Sequence, residues 1–366
     1  MAHPLSAPNL SIPASQNVVD VSIIDSTARI RVPMASFVKN PLPGHEWLEC
    51  PAFVFLVEHP SGKKALFDLG VRKDIDGFPP AILSVMKGRF TIDVEKDIAT
   101  ILKEDGRVGL DEINSIIWSH WHLDHNGDPS TFPSSTELVV GPGFKNAFLP
   151  GYPANPQGLV LESDYQGREL REVNFEGGLE IGGYKAFDFF NDGSFYLLDC
   201  PGHTIGHIAA LARTTESSFI LMGGDGCHHC GSLRPTEYLP LPDQLSPSPF
   251  SEPPHAPGSF CAGHLLEQIH PEHSRTAPFY AQLSEAPGRD VAEAEASICK
   301  MADFDANDDI FVVIAHDRSL LGVIDVFPNS ANHWREKGWK QAGRWRFLED
   351  FRHQAEKLKT ESDETQ

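Results

Sequence analysis

The sequence predicts a layered α/β protein, and two observations support this fold class. Short apolar runs rich in β-branched and aromatic residues alternate with amphipathic stretches in the first half of the chain. The same rhythm returns in the second half, where Gly, Asn and Ser separate the runs. Apolar runs of this length are typical of strands, and apolar residues three and four positions apart are typical of helices. Two βα-rich halves that pack as layers would bury both kinds of apolar face.

The first half contains four predicted strands, with two predicted helices between the third strand and the fourth. The strands are VVDVSIID (18–25), FVFLVEH (53–59), KKALFDLG (63–70) and INSIIWSH (113–120). The helices cover 79–88 and 94–106, and the second of them places Ile98, Ile101 and Leu102 on one side. Strand content comes from Val, Ile and Phe, which fit a pleated, half-buried surface.

The second half adds more strands and three helices around a proline-rich segment. Predicted strands cover 184–190, 195–200, 207–213, 218–225 and 309–317, and predicted helices cover 262–270, 290–304 and 347–359. Eight prolines between Pro235 and Pro257 exclude a regular helix or a central strand over 231–259. This segment is either a solvated loop or an ordered cover over a site. We expect one domain over 1–360, with a Pro-rich insertion at 231–260, added helices at 262–305 and a flexible tail at 361–366.

Composition narrows the classes of partner. The chain has 366 residues and a formal net charge of -21, so most of its surface would repel a phosphate backbone or an anionic membrane. No apolar run is long enough for a transmembrane helix, and the first residues lack the pattern of a secretory signal. Six dispersed cysteines suggest free thiols in a reducing compartment. We expect a cytoplasmic protein that acts on a small molecule, without nucleic acid or membrane partners, and consider a homodimer.

The segment SHWHLDHNGD (119–128) predicts a metal site directly after a strand. His120, His122, Asp124 and His125 form the pattern H-x-H-x-D-H, and imidazole and carboxylate groups are good ligands for zinc and similar cations. Four ligands so close in sequence cannot comfortably surround one tetrahedral ion. They can divide between two ions, and Gly127 fits the tight turn that this division requires.

Further ligands are expected where other strands end. PGHTIGH (201–207) offers His203 or His207, of which His203 is favoured because it comes first in the glycine turn. GGDG (223–226) presents Asp225, whose carboxylate can bridge two cations, and IAHD (314–317) ends a buried strand at His316. A strand-end histidine is often merely hydrogen-bonded, but the recurrence of donors at four strand ends favours a metal centre.

This order of motifs resembles the metallo-β-lactamase superfamily from about residue 50 to residue 320. The resemblance implies an αββα sandwich with a dinuclear metal site along one edge. It implies that His120, His122 and His203 hold the first metal, that Asp124, His125 and His316 hold the second, and that Asp225 bridges them. FDLG (67–70) is similar to the first motif of the family, which makes Asp68 a support for the ligand histidines. The expected cofactors are two divalent ions, zinc first, with manganese and iron as alternatives.

The segment HWHLDHNG, together with Asp225 at the bridging position, looks most like N-acyl homoserine lactonases and related lactone hydrolases. Such lactonases carry a tyrosine shortly after the bridging aspartate, whereas this chain reads GCHHCG there. His228 or His229 is therefore a candidate for substrate contact. Cys227 and Cys230 lack the second half-site of a structural zinc and the context of a redox pair, so an ordinary loop is the simpler interpretation. Asp128 and Asp317 are interpreted as turn or supporting groups.

The expected activity is hydrolytic opening of a small cyclic ester or amide, a lactone or γ-lactam. A hydroxide bridging two metal ions would attack the carbonyl, and Asp124 would pass a proton to the leaving group. The alternatives are a thioesterase of the glyoxalase II kind, an iron-dependent oxidoreductase of the same fold, and a metal-stabilised binding protein. A nuclease is disfavoured by the net charge of -21.

Overall fold

The computed structural model describes residues 4–364, which contain seventeen strands and eight α-helices. The strands are, in chain order, β1 (Asp20–Asp25), β2 (Arg29–Pro33), β3 (Trp47–Cys50), β4 (Phe53–Glu58), β5 (Lys64–Phe67), β6 (Thr91–Asp93), β7 (Ile113–Ile117), β8 (Glu137–Val140), β9 (Leu170–Glu172), β10 (Glu180–Ile181), β11 (Tyr184–Asp188), β12 (Phe195–Asp199), β13 (Ile208–Thr215), β14 (Ser218–Met222), β15 (Gln244–Leu245), β16 (Cys261–Ala262) and β17 (Ile310–Val313). The helices are α1 (Pro80–Met86), α2 (Ile98–Asp105), α3 (Phe144–Phe148), α4 (Glu162–Tyr165), α5 (Gly263–Ile269), α6 (Val291–Ala306), α7 (Trp339–Gly343) and α8 (Arg352–Glu364).

Two six-stranded sheets form the centre of the molecule. The first has the order β1-β4-β5-β7-β8-β9, in which β5, β7, β8 and β9 run parallel and the other neighbours antiparallel. The second has the order β10-β11-β12-β13-β14-β17, antiparallel except for the parallel pair of β14 and β17. Two small sheets, β3-β2-β6 and β15-β16, lie outside them.

The two sheets bury a shared apolar layer. Phe55 and Phe67 from the first sheet belong to the same buried cluster as Leu197 and Ile220 from the second. Successive side chains of a strand point to opposite faces, so alternate residues of each strand reach this layer. The remaining residues of the same strands face outwards and need a second cover.

Helices supply that cover on both outer faces. Ile98 and Leu102 of α2 pack with the outer residues of the first sheet, and Met301 and Phe304 of α6 pack with those of the second. The result is a helix–sheet–sheet–helix arrangement, which confirms the layered α/β prediction. Among the described residues, no helix is long and apolar enough to cross a membrane.

Helix α2 illustrates how local sequence sets these boundaries. Asp97 precedes the helix and its carboxylate accepts a hydrogen bond from the Thr100 N–H at 2.7 Å. Gly106 follows the helix with a φ of 77°, a conformation that glycine adopts without the steric cost of a side chain. An aspartate cap at the start and a left-handed glycine at the end are the signals that the sequence carries for this helix.

The predicted elements are confirmed, but several others were not predicted. The outer sheet of β2, β3 and β6 and the short parallel strands β8 and β9 carry too few residues to show a clear period. The helix expected over 347–359 begins as a 3-10 turn at Arg346–Phe351 before α8. The tail expected from 361 is helical as far as Glu364, and residues 365–366 lie outside the described part.

The proline-rich segment packs against the end of the chain. It contains only the two-residue strand β15, as its prolines require. Arg352 at the start of α8 donates hydrogen bonds from Nη2 to the carbonyls of Pro249 and Ser251, at 3.0 and 3.1 Å. These contacts tie the segment to α8.

Candidate metal centre

Five strands deliver polar side chains to one edge of the sandwich. Asp68 follows β5 and His120 follows β7, which are neighbouring parallel strands of the first sheet. In the second sheet, His203 follows β12, Asp225 follows β14 and His316 follows β17, and these three strands run in the same direction. Carboxyl ends of strands with one direction meet at the same edge, so residues far apart in sequence come together.

The first ligand set contains three histidines and one aspartate. His120 Nε2 lies 2.8 Å from His122 Nδ1, and His203 Nε2 lies 3.0 Å from the same atom. Asp225 Oδ2 lies 3.4 Å from His203 Nε2 and 3.7 Å from His120 Nε2. The ligand atoms of a tetrahedral zinc ion are about 3.3 Å apart for the usual zinc–ligand distances. These four residues therefore fit one divalent cation.

The second set shares Asp225 with the first. Asp225 Oδ1 lies 3.0 Å from His125 Nε2 and 2.9 Å from His316 Nε2. Asp124 Oδ2 lies 3.5 Å from His316 Nε2, and Asp124 Oδ1 lies 4.0 Å from His125 Nε2. One carboxylate thus places one oxygen in each set, which is the arrangement that two neighbouring cations require.

The electrostatics of both sets fit cations. Burial holds the pKa of His120 and His203 well below the usual range, so these rings are neutral, which is the form that binds metals. Burial also lowers the pKa of His125, but the nearby charges of Asp225 and Asp68 outweigh it and raise this pKa well above the usual range. These carboxylates favour a positive charge at the second set, where a cation would displace the ring proton. His125 Nε2 and Asp225 Oδ1 are buried and have no hydrogen-bond partner among the described residues. Such unsatisfied buried atoms are costly unless a ligand engages them.

Asp68 and Ser119 orient the ligand rings from behind. Asp68 Oδ2 lies 2.8 Å from His125 Nδ1, and Asp68 Oδ1 accepts a hydrogen bond from the Ser119 N–H at 2.6 Å. The Ser119 hydroxyl lies 3.0 Å from His120 Nδ1. On the other side, His316 Nδ1 donates to the carbonyl of Pro51 at 2.8 Å. Each of these contacts leaves Nε2 as the ring nitrogen that faces the centre.

His207, the other candidate in this glycine turn, has different contacts from His203. Its Nδ1 donates to the carbonyl of Cys200 at 2.7 Å, and its Nε2 accepts from the backbone N–H of Asp225 at 3.0 Å. Both ring nitrogens are therefore occupied by protein groups. His207 positions the aspartate, whereas His203 lies in the first ligand set.

His228 and His229 lie in different surroundings although they are adjacent in sequence. His228 Nε2 lies 3.2 Å from Asp225 Oδ2, and its ring stacks on Phe37 with the centroids 4.0 Å apart. His229 instead lies 3.1 Å from Asp350 Oδ2. Of the two candidates, only His228 is in direct contact with the predicted bridging aspartate.

A third cluster of possible ligands comprises His45, His229 and Asp350. His229 Nδ1 accepts a hydrogen bond from the backbone N–H of Gly231 at 3.0 Å, so its proton resides on Nε2. That Nε2–H donates to Asp350 and offers no lone pair to a cation. This cluster is a hydrogen-bonded group that lines a cavity of about 460 Å³ beside His316.

The two cysteines of CHHC form no disulfide and belong to an ordered loop. The Cys230 thiol donates to Asp317 Oδ2 at 3.2 Å, and the Cys227 thiol donates to the His229 carbonyl at 3.2 Å. Burial raises the pKa of Cys227 to about 12, so it is a thiol rather than a thiolate. These contacts agree with the simpler interpretation of the loop. Asp317 caps the turn after His316 by accepting from the Ser319 N–H at 3.0 Å.

Asp128 is also a turn residue beside the ligand segment. It accepts from the Ser130 N–H at 3.1 Å and pairs with Arg72 Nη2 at 3.2 Å. Sequence reasoning did not find Phe37 or Arg289, both of which lie near the centre from distant segments. Neither carries a motif, and only the fold brings them to His228 and Asp225.

Comparison with known proteins agrees with this geometry. The sequence profile described as Metallo-beta-lactamase superfamily matches residues 47–211. Gamma-lactamase FDB1 of Fusarium pseudograminearum is 46% identical over 357 residues, which cover 94% of this chain and 85% of that protein. Gamma-lactamase MBL2 of Gibberella moniliformis is 48% identical over 243 residues, which cover 64% of this chain and 99% of that protein.

Among solved structures, a mutant of AiiA from B. thuringiensis with N-decanoyl-L-homoserine bound at the active site has a similar fold. Its TM-score is 0.57 at 18% identity, and the match covers 86% of this chain and 99% of that one. At this identity the likeness concerns the fold alone. The motif order, the helix–sheet–sheet–helix layers and the long alignment to the curated relatives agree, and the chain belongs to the metallo-beta-lactamase superfamily.

Proposed function

We propose that this chain is a dinuclear metal-dependent hydrolase that opens a small cyclic ester or cyclic amide, a lactone or γ-lactam. The observation that carries the proposal is the shared Asp225 carboxylate, which has one oxygen beside His203 Nε2 and the other beside His125 and His316. The similarity to two proteins named gamma-lactamases favours a cyclic amide among the possible rings.

In this proposal, His120, His122 and His203 would hold one ion and Asp124, His125 and His316 would hold the other, with Asp225 shared by both sets. Two such ions supply a hydroxide nucleophile near neutral pH and polarise a carbonyl oxygen. The protein fixes the ligand rings through Asp68, Ser119 and the Pro51 carbonyl, so that the nitrogens need not reorganise during the reaction.

Asp124 is the proposed proton carrier. Its side chain is 18% exposed, whereas that of Asp225 is only 4% exposed. Asp124 therefore lies on the open side of the site, where the ring nitrogen or oxygen that leaves needs a proton. A carboxylate at this place can accept the proton of the nucleophile and deliver it to the leaving atom of the same ring.

His228 is the proposed substrate contact. Its Nε2 lies 3.2 Å from Asp225 Oδ2, and its ring stacks on the Phe37 ring at an interplanar angle of 23°. Its Nε2 is buried without a hydrogen-bond partner among the described residues, so a substrate oxygen or nitrogen can engage it. The cavity of about 460 Å³ beside His316 has the size of a small-molecule site, and it is lined by His229 rather than by His228.

Zinc is the proposed metal, because three neutral imidazoles with one carboxylate form a set that zinc prefers. The cytoplasm is the proposed compartment, in line with six cysteines that form no disulfide. We retain the proposal of a single domain over 1–360, of a homodimer and of a small-molecule substrate without nucleic acid.

The test combines metal analysis with turnover of four substrate classes: lactones, γ-lactams, thioesters and phosphodiesters. We expect about two ions per chain and hydrolysis of a lactone or γ-lactam, and we expect His122→Ala to abolish turnover. His333→Ala is the matched control, because this exposed histidine lies on the surface, where it pairs with Glu336. Preferred turnover of a thioester, or oxygen consumption by an iron-loaded protein, would contradict the proposal.

A further inference from the structure

The segment before α6 brings an arginine to the rim of the metal centre. The N–H of Asp290 donates to the carbonyl of Gly202 at 2.8 Å, directly before the predicted ligand His203. A Cβ at Gly202 would lie 2.1 Å from the Ala294 backbone nitrogen, so the first turn of α6 packs tightly on this loop. Arg289 is therefore fixed beside the ligand loop by its own backbone neighbours.

A second set of contacts fixes the side chain of Arg289 from the opposite direction. Its Nη1 donates to the carbonyls of Ser36 and Ser284, at 3.1 and 2.8 Å. The N–H of Ser284 in turn donates to the carbonyl of Phe37 at 3.0 Å, and the Phe37 ring stacks on His228. Arg289 is thus anchored at two places: its neighbour Asp290 is bonded to the loop of His203, and its Nη1 is bonded to the segments that carry Phe37 and Ser284.

The remaining donors of this guanidinium have no hydrogen-bond partner among the described residues. Within residues 4–364, Arg289 Nε and Nη2 form no hydrogen bond, and no carboxylate lies within ion-pair distance. Asp225 is the charge that acts on Arg289: burial lowers the pKa of the guanidinium, whereas this carboxylate raises it. If Asp225 is neutralised by two cations, no carboxylate among the described residues balances the charge of Arg289.

The unbonded Nε and Nη2 side of the guanidinium indicates which kind of ligand it would bind. Nε–H and Nη2–H point in parallel from one side of the group, and this fork matches the two oxygens of a carboxylate. We propose that Arg289 binds a carboxylate of the substrate or of the ring-opened product, and so selects for acids in the reaction of the neighbouring centre. Because ring opening adds water across a C–O or C–N bond, every product of the proposed reaction carries one new carboxylate.

This inference deepens the proposed function, and its first test does not depend on turnover. The metal-loaded protein is titrated with benzoate and with benzamide by calorimetry, in wild type, Arg289→Met and Arg289→Lys. We expect Arg289→Met to weaken benzoate about tenfold and to leave benzamide unchanged, because the fork and its charge are both lost. Arg289→Lys keeps the charge but not the fork, so its benzoate affinity should be intermediate.

The matched control is Arg335→Met, which removes the same charge from a surface ion pair with Asp309. Metal content and thermal unfolding are measured for every variant, and Arg289→Lys serves if Arg289→Met does not fold. Equal benzoate affinity in wild type and in a folded Arg289 variant would overturn the proposal. If benzoate discrimination depends on Arg289 while no lactone or lactam is hydrolysed, the proposed function fails, and the assignment of Arg289 as a carboxylate-binding residue stands without it.

Kinetics then distinguish the two sources of the carboxylate. A γ-lactam that carries a ring carboxylate is compared with one that carries none. If Arg289 binds the substrate's own acid, Arg289→Met raises KM about tenfold for the acidic lactam alone. If it binds the newly formed acid, the product inhibition constant rises about tenfold for both lactams and both KM values are retained.

Discussion

Asp68 Oδ2 lies 2.8 Å from His125 Nδ1, and both side chains are almost fully buried. Asp68 adopts a φ of 65°, which is uncommon for a residue with a side chain. This conformation lets its other oxygen accept from the Ser119 N–H while the first holds the ring. His125 Nε2 is thereby directed at Asp225 before any ion binds.

Asp68→Asn should weaken metal binding without removing a ligand. The amide retains an acceptor for Ser119 but faces His125 Nδ1 with an N–H, so the ring loses its anionic partner. Loss of such a supporting group typically costs about 10–100-fold in metal affinity. Competition with a chromogenic chelator measures this affinity. Asp192→Asn, which alters a His59–Asp192 pair elsewhere on the chain, should leave it unchanged.

The metal content should be two ions per chain, not three. His316→Ala removes a ligand of the second set only, so about one ion should remain. His229→Ala changes the third cluster, where the Nε2 proton precludes coordination, and two ions should remain. Elemental analysis after dialysis decides both cases. A drop to fewer ions in His229→Ala would show that the third cluster binds metal.

Asp124→Asn should slow turnover by about 10²–10⁴-fold, the usual contribution of a general acid–base group. The amide oxygen can still face the ion beside His316, so metal content should change little. The loss should be greater for a lactam than for an ester with a good leaving group, because the amine needs the proton more. An equal loss for both substrates would argue against proton transfer by Asp124.

Gly202→Ala should disturb the first ligand set through packing. The new Cβ would meet the Ala294 backbone nitrogen, and the φ of 112° is unfavourable for alanine. We expect the free energy of unfolding to fall by about 3 kcal/mol, since overpacking adds to backbone strain. Gly167→Ala is the control: it has a φ of 79° but open space, so only about 1 kcal/mol should be lost. Urea unfolding of the metal-free proteins measures both.

Asp164 should make stability depend on pH. Burial raises the pKa of this carboxyl from the ordinary 3.8 to about 7, and the Asp128 charge acts in the same direction. The hydrogen bond from the Leu161 N–H and the charges of Arg72 and Arg168 act in the opposite direction. Between about pH 4 and 7, Asp164 is therefore protonated in the folded state and ionised in the unfolded state. By linkage, this group's contribution to stability is lost as the pH rises through that window.

Asp164→Asn removes this titration while its amide oxygen still accepts from the Leu161 N–H. Relative to wild type, the variant should be more stable at pH 8 than at pH 5, by a few kcal/mol at most. Urea unfolding at both pH values gives the difference, with Asp308→Asn at an exposed site as the control. The same difference at both pH values would contradict a raised pKa.

Much of the candidate metal centre could be predicted from the chain because its candidate ligands lie close together or directly after strands. Three of the ligand candidates, His120, His122 and His125, share one turn of backbone, so their proximity is local. Asp225 and His316 follow short apolar runs that predict strands, and the structure pairs these two strands in parallel, so their ends meet. The layered fold followed from the same runs.

Other features depend on contacts between segments hundreds of residues apart. The choice of His203 over His207 rests on hydrogen bonds of His207 to Cys200 and Asp225, which no local pattern encodes. Likewise, the sequence predicted the added helices at 262–305, but it did not predict that the segment before α6 would bring Arg289 to the centre.

Local sequence determined which residues can bind a cation, because ligand chemistry is a property of single side chains. Tertiary structure decided which of them face one another and what borders them, because hydrogen bonds and packing act between residues that only the folded chain brings together.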